Sequence, residues 1–317
     1  MAVPLGHLTQ ASFAVEVTPG TAVSPRTVGM RLVSNDLAPK LKSSPLKNLT
    51  GDGVVPISTG PLQESIEVGG NLKAQACYQG GALGLLLELA MGTSSCTTTG
   101  TGPYDHTFAL TGTQDCVTIA SERGNTAKDD VMNGCKLSKL VLSVQPGQAM
   151  EVSADFIGMG YDARAAVAKI TPATPYYIKH NHCGQLGFNS ANYVLLSLTL
   201  TIDRKVAPLM ELGTLNSAEP QPTDMIEIML EAELVVRDNV LQVAALAGTS
   251  ANVTCSLTDG TRTLAITLHN GVIMSHSDPI SSVGVIKQKV TWNAYGDGTN
   301  HGLAIVLTNA NSSNRAS

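Results

Sequence analysis

A strand–turn–helix pattern that occurs twice constrains this chain more than any other feature. Residues 64–95 read ESIEVGGNLKAQACYQGGALGLLLELAMGTSS, and residues 225–251 read MIEIMLEAELVVRDNVLQVAALAGTSA. In the first copy Ile66, Val68, Leu72 and Ala74 fall on alternate positions. In the second, Ile226, Ile228, Leu230, Ala232 and Leu234 do the same, with Glu227, Glu231 and Glu233 between them. Period two marks a strand with one buried and one wet face. The spacing then becomes helical: Leu83, Leu86, Leu87 and Ala90 in one copy, Val240, Val243, Ala244 and Ala247 in the other. Each set is an apolar stripe that must be buried against something. Asp238 stands where it can cap the second helix, and Gly92 and Gly248 stand where a left-handed residue ends one. Two strand–helix pairs can occur in any β-rich protein, but matching order and spacing favour an internal duplication.

The remaining segments extend the repeat. Alternating apolar positions predict strands over residues 11–16, 28–37, 104–110, 116–121, 136–144 and 149–158 in the first half, with a hairpin about Gln145-Pro146-Gly147. In the second half they predict strands over 193–202, 252–257, 263–268, 286–295 and 303–308. Residues 94–103 read as a Ser/Thr/Gly loop, and 172–175 with 179–184 as a linker. Residues 40–61 and 207–223, each with three prolines, read as a pair of long loops. The expected fold is therefore all-β with minor α: two tandem β-sandwich domains, 1–175 and 185–317, each with one short helix.

Composition narrows the function. The chain has 317 residues, long enough for two domains, and a formal net charge of −5, which leaves no basic footprint for gripping nucleic acid. Aromatic residues make up only 4%, few for a protein that stacks sugars. The N-terminus lacks the charged and apolar regions of a signal peptide, and the longest apolar run, 82–91, is about half a membrane span. No membrane association is expected. The six cysteines share no paired spacing, so free thiols are expected.

Motifs for chemistry are sparse. His180-Asn181-His182-Cys183 places three metal-ligand types together but shows no fourth ligand, and reads as a linker with incidental histidines. Tyr104-Asp105-His106 lacks any accompanying nucleophile motif. Gly80-Gly81 lacks the flanking residues a phosphate site needs. No catalytic residue, cofactor or metal is expected. The chain reads as a non-enzyme.

The hairpin 134–158 (GCKLSKLVLSVQPGQAMEVSADFIG), the strand 197–203 (SLTLTID), the two strand–helix units and the ending 289–295 (KVTWNAY) with 304–309 (AIVLTN) carry a resemblance. In pattern and order the chain resembles the tail tube (major tail) proteins of long-tailed bacteriophages, in the form with two tube domains. The resemblance implies a structural protein forming stacked rings, trimers with pseudo-sixfold symmetry, around a channel that conducts DNA into the host. It implies assembly in the host cytoplasm, a place in the virion tail, and contact with tape measure and tail terminator or tip proteins. Double-stranded DNA would pass without specific binding. The two-domain length points to a non-contractile tail. A β-sandwich binding module, such as a capsid decoration protein or adhesin, is the alternative; a hydrolase on a sandwich scaffold is a more distant one.

Two sets of residues follow from that resemblance. In tail tube proteins the loop corresponding to 40–61 reaches the adjacent ring, which assigns Lys40, Lys42, Leu46, Lys47, Leu49, Val54, Val55 and Ile57 to inter-ring contacts. A DNA channel is best served by a wall that does not hold phosphates. Glu64, Glu67, Glu227, Glu231 and Glu233 are accordingly expected to face a net negative lumen; the alternative is that they face outside solvent or pair with lysines at subunit contacts.

Overall fold

The computed structural model describes residues 9–44, 62–98, 102–123, 130–162, 170, 173–278, 285–298, 300–313 and 315. Before the first helix come β1 (Thr9–Val15), β2 (Val28–Arg31), β3 (Ser34–Asn35), β4 (Ala38–Ser44), β5 (Leu62–Gln75) and β6 (Cys77–Gln79). Helix α1 (Leu83–Met91) leads into β7 (Gly92–Thr98), β8 (Tyr104–Leu110), β9 (Val117–Arg123), β10 (Asp130–Val144), β11 (Glu151–Gly158) and β12 (Gly160–Asp162). A crossing segment holds β13 (Tyr176–Tyr177) and a 3-10 turn, His180–His182. There follow β14 (Leu186–Phe188), β15 (Ala191–Tyr193), β16 (Leu195–Asp203), β17 (Val206–Leu209), β18 (Ala218–Pro222) and β19 (Glu227–Val235). Helix α2 (Val240–Ala247) precedes β20 (Ser250–Thr258), β21 (Thr263–Ser277), β22 (Lys287–Ala294) and β23 (Leu303–Asn309). The chain is all-β with minor α.

The strands pair in an order that recurs. In the first half β2–β1–β9–β10–β12 form one sheet, using the N-terminal part of β10. In the second half β15–β14–β20–β21–β23 are joined in the same order, using the N-terminal part of β21. The long strands β10 and β21 then bend into another sheet, where β11 and β22 follow them and pair with β5 and β19. Phe13 of β1 meets Phe156 of β11 with ring centroids 6.2 Å apart, and Phe188 of β14 meets Trp292 of β22, also at 6.2 Å. Large rings thus bridge the two layers at like places, and one buried apolar cluster runs through both halves.

The two halves share a sheet. Lys139–Val144 of β10 pair antiparallel with Leu198–Asp203 of β16. The result is a continuous order β4–β5–β11–β10–β16–β19–β22–β21. Among the described residues this sheet does not close on itself: β4 and residues 273–277 of β21 each pair on one side only.

Several expectations are corrected. Residues 40–44 are not loop; they belong to β4, because Lys40 and Lys42 sit opposite Glu67 and Ser65 in a regular ladder. Leu46, Lys47, Leu49, Val54, Val55 and Ile57 lie outside the described residues, as does the side chain of Glu64. Residues 92–98 form β7, a strand of Ser and Thr with no apolar alternation to reveal it, paired with β8. The β7–β8 hairpin adds to the second half's sheet through β8 and β23. The second long loop contains the β17–β18 hairpin. The expected linker is packed: β13 pairs with β6, and Ile178 is fully buried between backbone bonds to Ala76 and Met150.

Candidate assembly interface

Alternation gives the shared sheet one face in the core and one open face. Opposed residues in an antiparallel ladder lie on the same side. The registers therefore place Glu67, Glu151, Asp155, Asp203, Glu227, Glu231 and Glu233 on the open face, among Lys40, Lys42, Lys73, Lys139, Lys287 and Lys289. Four of the five glutamates singled out by sequence, Glu67, Glu227, Glu231 and Glu233, are thus brought together; the fifth, Glu64, is on β5. Each of the four has a lysine. Lys42 pairs with Glu67, Lys205 with Glu227 at 2.9 Å and Asp203 at 3.1 Å, Lys289 with Glu231 at 3.0 Å, and Lys287 with Glu233 at 3.3 Å. Hydrogen bonds to Glu227 and Asp203 raise the Lys205 ammonium to about 12. Such pairs on an open surface are screened by solvent and add little stability. Their larger effect is to balance the face: with Lys205 included, seven lysines stand among the seven carboxylates named.

The sheet ends in edges that natural proteins seldom leave bare. At one edge β4 has no strand partner on its outer side among the described residues, with Pro39 as an edge residue and Leu41 exposed. At the other, β21 carries exposed Met274 close to exposed Tyr295. Apolar side chains are also bare on α2, where Val243 and Leu246 point outward.

The helices differ sharply. Every residue of α1 is buried, whereas α2 buries only Leu241 and Ala244. A helix buried all round must satisfy its last carbonyls from within the protein. Gln114 donates to the Leu89 carbonyl at 3.0 Å and to that of Leu137 at 2.8 Å. Arg204, 4% exposed, reaches across from the second half. It donates to the carbonyls of Ala90 (2.9 Å), Thr111 (3.0 Å) and Thr113 (3.1 Å). Glu88, near the helix end, accepts from Ser94 and from both Nε and Nη2 of Arg315, which ties the C-terminal segment over α1. Sequence reasoning missed Arg204: an Arg after a strand looks like any solvated cation, and only the packing of two halves reveals its role.

The sites considered for chemistry do not assemble. His106 is fully buried with Nε2 between Asn309 Oδ1 (3.2 Å) and the Asn311 carbonyl (2.9 Å), while Asp105 accepts from Thr308. Both residues knit β8 to β23. His182 lies against Tyr78, and His180 joins the crossing segment to Gln148 through its backbone. Among the described residues no group of three or more His, Cys, Asp or Glu is placed to hold a metal ion. None of their helices is long and apolar enough to cross a membrane.

A face with balanced charge, two unpaired edges and a bare apolar helix suit a protein whose partner is another protein surface. No curated protein matches this chain. The family model described as "Phage tail tube protein" matches residues 6–294. That span takes in both helices, both edges and the seam between the halves, and on it the chain belongs to the phage tail tube protein family, structural proteins of the virion tail that assemble with themselves into a tube.

Proposed function

We propose that the chain is the repeating subunit of a hollow tail tube, with two tandem tube domains, about 1–175 and 185–317. Three copies close a ring of six like domains, and rings stack to form the channel through which DNA reaches the host. The observation that carries this reading is the β10–β16 seam. It joins domain to domain by sheet extension inside one chain. The bare edges β4 and β21 can repeat the same junction head to tail between chains, which closes a ring and leaves no edge. Repetition of a single heterologous contact needs no other partner, and its closure sets the ring size.

In such a ring the open face of the shared sheet lines the lumen, and Glu67, Glu227, Glu231 and Glu233 with their lysines form part of the wall. A wall of Lys and Arg alone would hold phosphates by counterion release. A wall whose lysines are each matched by a carboxylate has no net positive charge to hold phosphates and lets the duplex slide. The segment containing Leu46, Lys47, Leu49, Val54, Val55 and Ile57 leaves from β4 and returns at β5, and we assign it to contact with the next ring. Tape measure protein inside the tube and terminator or tip proteins at its ends are the other expected partners.

Negative-stain microscopy of the purified, concentrated protein should reveal rings or hollow tubes. Discrete particles without a channel at any concentration would favour a decoration protein or adhesin instead. Deleting residues 47–59 should leave soluble protein, with rings at most, and normal tubes from that variant would remove the segment from the inter-ring contact.

A further inference from the structure

We propose that the outward apolar face of α2 is covered in the assembled ring by β4 of a second copy, with Leu41 of that copy seated beside Leu246. The inference rests on the ring reading above and adds the residues and register of the contact. Its basis is the seam already present inside the chain, which serves as a template.

The two sides of the seam have counterparts at the bare edges. Strands β10 and β21 carry the same bulge at the same place. In β10 the register slips between Leu137 and Lys139, opposite Phe156 and Asp155. In β21 it slips between Ile273 and Ser275, opposite Trp292 and Thr291. Ser275, His276 and Ser277 therefore stand where Lys139, Leu140 and Val141 stand. On the other side, Asp203 of β16 faces Glu227, and Lys40 of β4 faces Glu67. Two residues on, Lys205 pairs with Glu227 and Lys42 with Glu67. Lys40, Leu41 and Lys42 thus match Asp203, Arg204 and Lys205.

Within the chain, Lys139, Leu140 and Val141 pair with Asp203, Ile202 and Thr201. The matching pairing between copies sets Ser275, His276 and Ser277 against Lys40, Pro39 and Ala38; Pro39, in the place of Ile202, has no N–H to give, so at that pair the ladder keeps only the His276 N–H to the Pro39 carbonyl. The backbone N–H of Arg204 donates to the Ser138 carbonyl at 2.8 Å. Its counterpart is Leu41 N–H to the Met274 carbonyl, and both of those residues are exposed in the single chain.

The side chains complete the match. Arg204 ends against the last turn of α1, on the Ala90 carbonyl. The helices align through their left-handed terminal glycines, Gly92 and Gly248, which places Leu246 where Ala90 lies. Leu246 is 84% exposed, Val243 54% and Leu41 55%. The difference in chemistry follows from when each contact forms. Arg204 is enclosed as the chain folds and satisfies carbonyls that have no other partner. A contact made later, between finished subunits, would have to strip water from a cation, so an apolar pair is the better solution.

The test uses full chains in a Cys96→Ser background, which removes the exposed native thiol. Leu41→Cys and Leu246→Cys chains are mixed, assembled and treated with a short bis-maleimide. Covalent dimers are expected in the mixed tubes and not in tubes of either variant alone. In parallel, Leu246→Glu should keep the wild-type melting temperature and lose assembly, whereas Val17→Glu, at a fully exposed site, should do neither harm. Wild-type tubes without the mixed cross-link, together with normal tubes from Leu246→Glu, would overturn this contact and leave the tube reading standing. A wild-type protein that never assembles would overturn both.

Discussion

Arg204 illustrates how a single side chain can hold two halves of a protein together without any ion pair. Its guanidinium is buried, its pKa is pushed down by that burial, and its partners are three carbonyls. Arg204→Met keeps the stem's packing and strands those carbonyls, so unfolding free energy should fall by about 3 kcal/mol, measured by urea titration. A loss under about 0.5 kcal/mol would mean that water replaces the guanidinium freely. The thiols make a second residue-scale prediction. All six are free; burial pushes Cys77, Cys116 and Cys255 up to about 12 from 9.0, and Cys135 up as well. Burial and the neighbouring Asp238 likewise push Tyr193 up to about 12. A raised folded-state pKa contributes stability that is fully present below the unfolded value and is lost as pH rises through the folded one. The urea midpoint should therefore be unaffected by these groups below pH about 9 and fall between about 9 and 12. A profile flat to pH 11 would contradict the burial of these groups.

At the scale of elements, like sequence has unlike consequences. Helices α1 and α2 both end in a left-handed glycine, Gly92 at φ 100° and Gly248 at φ 63°. A Cβ on Gly92 would collide with Thr111 Oγ1 and the Thr113 carbonyl, whereas one on Gly248 would meet nothing within 4 Å. Gly248→Ala should cost about 1 kcal/mol for the backbone alone. Gly92→Ala should cost about 3 kcal/mol, since overpacking is added. Thermal melts of the two variants decide it, and equal losses would show that α1's end can relax. The difference traces to the β7–β8 hairpin, which encloses α1 and has no counterpart beside α2 among the described residues. Residues 94–98 of β7 read as loop in the sequence, since Ser94, Ser95, Thr97 and Thr98 offer no apolar alternation. Its strand form comes from pairing with β8, whose Phe108 is buried.

For the whole molecule, the recurring strand order, the shared sheet and the edges left unpaired among the described residues are what the proposed ring would use, and the tube and cross-linking experiments bear on that scale. Legible in the sequence were the strands with apolar alternation, both helices with their glycine ends, and the placement of Glu227, Glu231 and Glu233 on one face; β4, β7, β13, β17 and β18, which lack that alternation, were not. The legible features depend on local periodicity, which short windows of residues carry in full. The sequence also carried the family, because the order of such windows is distinctive. Three-dimensional packing is what sets β10 against β16, makes the expected linker a packed crossing segment, and lends the first half's hairpin to the second half's sheet. It alone paired the glutamates with Lys42, Lys205, Lys287 and Lys289, and turned Arg204 from a surface cation into an internal cap. Those outcomes depend on which edge meets which, a choice between distant segments of similar alternation, and no local pattern encodes it.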